Sequence, residues 1–161
     1  MESIVLKPIG IIRTPHKNLE GTPIQPSGAC GVRGTVEVEE AFREGLLDLA
    51  GFSHVFLLYL FHQSKGFNLV VKPFLDDARH GVFSTRAPRR PNPIGLSVVR
   101  LVDVREGTLH VEGVDMVDGT PLLDIKPFIP DFDLPCGEIR TGWLSGRSKN
   151  ATSHKADDRF L

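Results

Sequence analysis

Cysteine is nearly absent. The 161-residue chain holds two, Cys30 and Cys136, far apart and in no CxxC pair, so neither a zinc site nor a disulfide framework is indicated and a reducing cytoplasm is the expected setting. The six histidines show no HxH or HxxxH spacing, so no metal is expected. Long apolar runs are missing too, and "MESIVLKPIGII" has no signal peptide's charged start, apolar core and small-residue cleavage site, so a soluble chain with no membrane partner is expected. There is no Gly-rich phosphate loop between a strand and a helix and no GxSxG elbow, which argues against a dinucleotide-binding doubly wound domain and an α/β-hydrolase. Charge of one sign is not in excess, since 19 Lys and Arg face 20 Asp and Glu. A protein that coats nucleic acid is thereby disfavoured, while a local basic patch stays open.

Short apolar runs separated by turn signals are abundant: residues 4–12, 32–38, 55–61, 68–74, 94–104, 108–117 and 122–128. "SVVRLVDV" and "LHVEGVDM" alternate with a period near two, and the link through Gly107 predicts a hairpin. One helix is predicted near 39–50, where Phe42, Leu46, Leu47 and Leu49 share a stripe and Gly51 can end it. Many short strands and few helices give a mainly β fold: a small closed or nearly closed β-barrel with one or two short helices, closure removing exposed strand edges. The length suits one domain, taken as 1–135, with a polar tail over 136–161 expected to be loosely ordered apart from Phe160 and Leu161.

Three features could carry chemistry. "FSTRAPRRPNPIGLS" (83–97) sets Arg86, Arg89 and Arg90 among Pro88, Pro91 and Pro93. The prolines hold the loop extended with little ordering entropy left to lose, and the guanidinium groups suit a carboxylate, a phosphate or the edge of a base. A stiff loop with solvated arginines is the equal alternative. "VDMVDGTPLLDIKPF" carries Asp115, Asp118 and Asp124; Asp118 is best explained as a turn cap, and Asp124 and Lys126 share a strand face, as a site pair or as a plain surface ion pair. His62 and Gln63 end the most apolar run and either line a pocket or mark its exit to solvent.

"PIGIIRTP" (8–15), "GFSHVFLLYLFHQS" (51–64), "GVFSTRAPRRPNPIGLSVV" (81–99) and "DMVDGTPLLDIKPF" (115–128) together resemble, in order, the signature segments of the TsaA-like (TrmO-like) family. The resemblance implies a β-barrel methyltransferase, cytoplasmic and homodimeric, that uses S-adenosyl-L-methionine to methylate N6 of threonylcarbamoyl-adenosine at position 37 in the tRNA anticodon loop. It places the donor against Pro26, Ser27 and Gly28, His62 and Gln63, Arg86, Leu96, and Gly113, Val114, Asp115 and Met116. Asp124 is then expected to accept or orient the acceptor's proton, Lys126 to steer charge, Asn92 to hold the base, and Arg89 and Arg90 to face RNA. Two other readings keep the donor: a methyltransferase with a small-molecule or other RNA acceptor, and a non-catalytic regulator that binds adenosylmethionine.

Overall fold

A computed structural model of the chain describes residues 3–160. Its strands are β1 (Gly10–Arg13), β2 (Arg33–Val38), β3 (His54–Leu60), β4 (Val70–Val71), β5 (His80–Gly81), β6 (Ile94–Arg105), β7 (Thr108–Glu112) and β8 (Thr120–Pro127). Six of them close an antiparallel barrel in the order β1-β2-β7-β6-β3-β8, with β8 pairing back onto β1. The small β4–β5 pair stands outside it.

Period-two alternation builds the barrel core. In β3, Val55, Leu57 and Tyr59 point inward while their neighbours point out, and Val99 and Leu101 do the same in β6. They meet Ile12, Val36, Leu109, Val111 and Leu122, all fully buried. The predicted β6–β7 hairpin is present, and Glu106 (φ 50°) and Gly107 (φ 83°) adopt the left-handed backbone that a two-residue primed turn requires. Because the face a residue occupies follows from register, Leu57→Ala is expected to cost ~2–5 kcal/mol and Leu58→Ala far less. Denaturant unfolding checks this, and equal losses would refute the register.

Three expectations are corrected. Residues 39–50 do not form one helix but two 3-10 turns, Glu40–Leu46 and Leu49–Gly51, because Asp48 takes a left-handed φ of 64° and breaks the stripe. Phe42 and Leu46 still pack on the core and Leu49 is buried, but Leu47 faces solvent. The one α-helix among the described residues is the single turn α1, Pro130–Asp133. Apolar runs 4–12, 68–74 and 108–117 yield shorter strands than expected, of four, two and five residues.

The tail, in turn, is not loose. Residues 142–160 form a strap of 3-10 turns clamped at three places. Trp143 stacks on His80 at 4.4 Å and donates Nε1–H to the Ser84 carbonyl (2.8 Å), while Arg147 pairs with Asp76. Ala156 exchanges backbone hydrogen bonds with Gly21 and Thr22. Phe160 is buried beside Val71, Val82, Ala87 and Phe74, where Arg159 lies over the Phe74 ring and donates to the Pro73 carbonyl. Leu161 lies outside the described residues.

Candidate functional site

At one end of the barrel, where β3 finishes and β6 and β8 begin, a cleft of about 1130 Å³ opens between the barrel rim, the proline–arginine loop and the strap. This exceeds the ~300–1,000 Å³ that suits one drug-sized ligand. Of the residues expected to contact a ligand, Pro26, Ser27, His62, Gln63, Arg86, Leu96, Asp115 and Met116 line it, as do Arg90 and Asn92. Segments far apart in sequence therefore converge on one cavity. Gly28, Gly113, Val114, Arg89, Asp124 and Lys126 do not line it.

Most of these outliers have a visible reason. Gly28 faces the strap, since a Cβ there would come within 2.9 Å of the Ala151 carbonyl oxygen. Val114 is fully buried, and its carbonyl meets the His16 ring at 3.1 Å. Gly113 has a φ of 93° and turns the chain from β7 toward the cleft floor. Asp124 pairs in register with the outward-facing Leu58, because a register shift at Leu58/Tyr59 puts Leu122 opposite Tyr59. Its carboxylate accepts from its neighbour's Ile125 N–H and pairs with Lys126 at 2.8 Å, both side chains well exposed. Arg90 donates to the carbonyls of Thr85 and Ala87, so its guanidinium braces the loop that carries it. Asp118, expected to cap its own turn, instead accepts from the Thr14 N–H across the chain and pairs with Lys17.

The cleft floor carries the strongest electrostatics. Asp115, partly buried, accepts a hydrogen bond from Ser97 Oγ at 2.7 Å, and Ser97 Oγ lies 3.0 Å from the Tyr59 hydroxyl. Burial pushes the Asp115 carboxyl up to about 6, against the opposing effects of the Ser97 hydrogen bond and the Arg86 charge. Burial, with the nearby Asp115 charge, likewise raises the Tyr59 phenol well above its usual range and keeps it protonated. Arg86 donates to Gln25 Oε1 at 2.9 Å, which ties the arginine loop to the loop bearing Pro26 and Ser27. Along the wall, Ser64 Oγ is buried with no hydrogen-bond partner among the described residues, an orphan that a polar ligand atom would satisfy.

Sequence reasoning missed Tyr59, Ser97 and Ser64. The available signal for the first two was a polar residue at an inward position of an apolar alternating strand, where its hydroxyl must find a buried partner. Gly95 completes the arrangement, for the Tyr59 ring occupies the space its Cβ would need. Gly95→Ala is therefore expected to displace the ring, break the Tyr59–Ser97 contact and cost ~1–3 kcal/mol by overpacking. Thermal unfolding and loss of buried-tyrosine fluorescence anisotropy would check it, and an unchanged melt would refute it.

A closed antiparallel barrel with a charged, partly apolar cleft at one end is a small-molecule-binding barrel, not a doubly wound α/β domain. The chain belongs to the tRNA-methyltransferase O N-terminal domain family, whose model matches residues 11–134. It is 49% identical over 158 residues to a probable S-adenosyl-L-methionine-binding protein of Pyrococcus abyssi, a match covering 98% of this chain and 85% of that one. It is 41% identical over 140 residues to the mouse tRNA (adenine(37)-N6)-methyltransferase, covering 83% of this chain but only 32% of the mouse protein. The crystal structure of TrmO from Pseudomonas aeruginosa superposes with a TM-score of 0.73 at 41% identity, over 88% of this chain and 63% of that one. The chain thus spans about a third of the mouse enzyme and under two thirds of the TrmO chain.

Proposed function

We propose that the chain is an S-adenosyl-L-methionine-dependent methyltransferase acting on N6 of adenosine 37 in the tRNA anticodon loop, with threonylcarbamoyl-adenosine as the acceptor. The observation that carries the reading is the opposition of Asp115 and Arg86 in a cleft otherwise rich in apolar side chains. A carboxylate suits the hydroxyls of a ribose, a guanidinium suits a carboxylate, and Leu96, Met116 and Pro26 offer apolar surface to a planar base. Ser64 adds a polar atom in want of a partner. The residues present therefore fit the donor.

Bound there, the donor would supply an electrophilic methyl group on a sulfonium that leaves as a neutral thioether. The chain's own contribution is to hold that methyl in line with the acceptor nitrogen and to keep water out. Asn92, which lines the cleft, is proposed to hold the base. Asp124 and Lys126 stand on the outer face of β8 and do not line the cleft, so their proposed part in taking and steering the N6 proton requires an acceptor that reaches over the edge of the barrel. Asp124→Asn is expected to lower kcat at least tenfold with donor affinity unchanged. Equal losses in both would reduce Asp124 to a scaffold residue.

Homodimerisation is part of the proposal, supported by Phe83 and Ile94 on the cleft wall, which stay 75% and 38% exposed. Arg89 and Arg90 are proposed to contribute positive potential toward the RNA, and a cytoplasmic setting goes with the substrate. The test is incubation with labelled donor and modified tRNA, followed by nucleoside mass analysis. A methyl on threonylcarbamoyl-adenosine supports the full reading, methylation of another RNA position or a small molecule changes the acceptor, and donor binding without transfer overturns the enzyme.

A further inference from the structure

We propose that Tyr59 and Ser97 are positioning residues, a one-way hydrogen-bond chain that fixes Asp115 in the cleft floor as an ionised acceptor for a ligand's hydroxyl groups. The inference rests on the ligand-binding part of the reading above, not on the identity of the methyl acceptor.

The geometry gives the chain its direction. Ser97 is 2% exposed and Tyr59 4%, so water cannot serve either hydroxyl freely. Ser97 has one proton, and it goes to Asp115 Oδ1 at 2.7 Å. The phenol 3.0 Å away must then donate to the Ser97 oxygen, because Ser97 has no second proton to give back. Each donated bond polarises the next, so the negative charge on Asp115 is stabilised from two residues away. Were Asp115 to protonate, both the proton and the reason for the direction would change. The carboxyl would become a donor itself and a weaker acceptor for a ribose diol.

Three different strands and turns supply the parts: Tyr59 from β3, Ser97 from β6 and Asp115 from the segment after β7. Gly95 leaves the space in which the Tyr59 ring reaches Ser97. The other charged or titratable groups around the floor are Arg86, Arg90 and His62 on the cleft walls, Asp157 from the strap, and His16 against the Val114 carbonyl. Arg86 favours the ionised carboxylate, as the chain does, whereas burial opposes it. The Ser97 hydrogen bond is the largest of the effects that favour the carboxylate.

The side-chain carboxyl carbon of Asp115, followed by NMR in the unliganded protein, reads the proposal without any donor present and without interference from the histidines. Its titration midpoint is expected to rise by about one pH unit in Ser97→Ala and by about half a unit in Tyr59→Phe, which keeps the ring and hence the packing. Adenosylmethionine affinity, measured by calorimetry, should fall about threefold in Tyr59→Phe at pH 5, below both midpoints, and return to the parent value by pH 9, where Asp115 is ionised in both. An unmoved midpoint in both variants overturns the chain whatever the ligand. A shifted midpoint with no adenosylmethionine binding in the parent protein leaves the chain standing and sinks the donor assignment. A loss of affinity in Tyr59→Phe that is the same at every pH is packing damage and overturns the positioning role.

Discussion

Replacing Asp115 with asparagine is expected to stabilise the empty protein while stripping it of its ligand. Burial holds the carboxyl at about 6 in the fold, against 3.8 for an unperturbed aspartate, so the folded state binds the proton more tightly than the unfolded chain. The sign follows directly. Below about pH 4 both states are protonated and the residue costs nothing. As pH rises through the window up to about 6, the unfolded chain gives up its proton first, and the parent protein loses stability. Above that window the loss is complete, and an amide of the same shape escapes it. Two pH units correspond to ~3 kcal/mol, and because the cleft side is open to water about half of that is expected, ~1–2 kcal/mol at pH 8. Meanwhile a charged acceptor for the ligand's hydroxyls is gone, which weakens adenosylmethionine by about ten- to a hundredfold. Thermal unfolding of Asp115→Asn at pH 4 and pH 8, paired with calorimetry, checks both halves. A variant less stable than the parent at pH 8 would show that Asp115 holds the fold together, not the ligand.

Such an exchange of stability for function explains why a carboxylate stands at the end of a barrel whose inward positions are mostly apolar. It also marks where the sequence could be read and where it could not. Short apolar runs, with period-two alternation in "SVVRLVDV" and "LHVEGVDM", were enough to predict strands, and strands in such number were enough to predict a barrel. The same alternation could not reveal that Tyr59 and Ser97 touch, because that depends on the register of β3 against β6, a pairing between residues 38 positions apart. Nor could it reveal the register shift between β3 and β8 that turns Asp124 and Lys126 away from the cleft. Their shared face was legible; which way that face pointed was not. The helix expected over 39–50 failed for a local reason, a left-handed Asp48 that no stripe of apolar residues announces. Its apolar side chains found the core regardless, since burial needs the right residues near the barrel more than it needs a regular helix.

The strap is where composition misled most, and removing it has the second large expected effect. "SGRSKNATSHKADDRF" is polar and without period, so it reads as a loose tail. Its order comes instead from a few anchors: an indole stacked on His80, backbone bonds from Ala156, an arginine spread over Phe74 and a buried Phe160. These anchors grip the three segments that wall the cleft, around Thr22, Phe74 and Ser84, and none of them belongs to the barrel core. A chain ending at Thr141 should therefore keep a cooperative barrel. It should also lose the Trp143, Leu144, Ala151 and Phe160 side of the cleft and release the Gln25–Ser27 loop, whose neighbour Gly28 lies against Ala151. Adenosylmethionine affinity is expected to fall by about ten- to a hundredfold, because the loop must then be ordered by the ligand at about 1 kcal/mol or more per residue. Phe160→Ala in the full-length chain should give part of the same loss, with early proteolysis confined to the strap. The family match ends at residue 134, before the strap begins, so the comparison separates two designs for one cleft. If the shortened chain binds the donor as tightly as the full one, the barrel and its loops are sufficient, and the strap serves only to cover Val71, Val82 and Ala87. If affinity falls while the barrel melt persists, this chain has built part of its binding site from residues outside the shared domain.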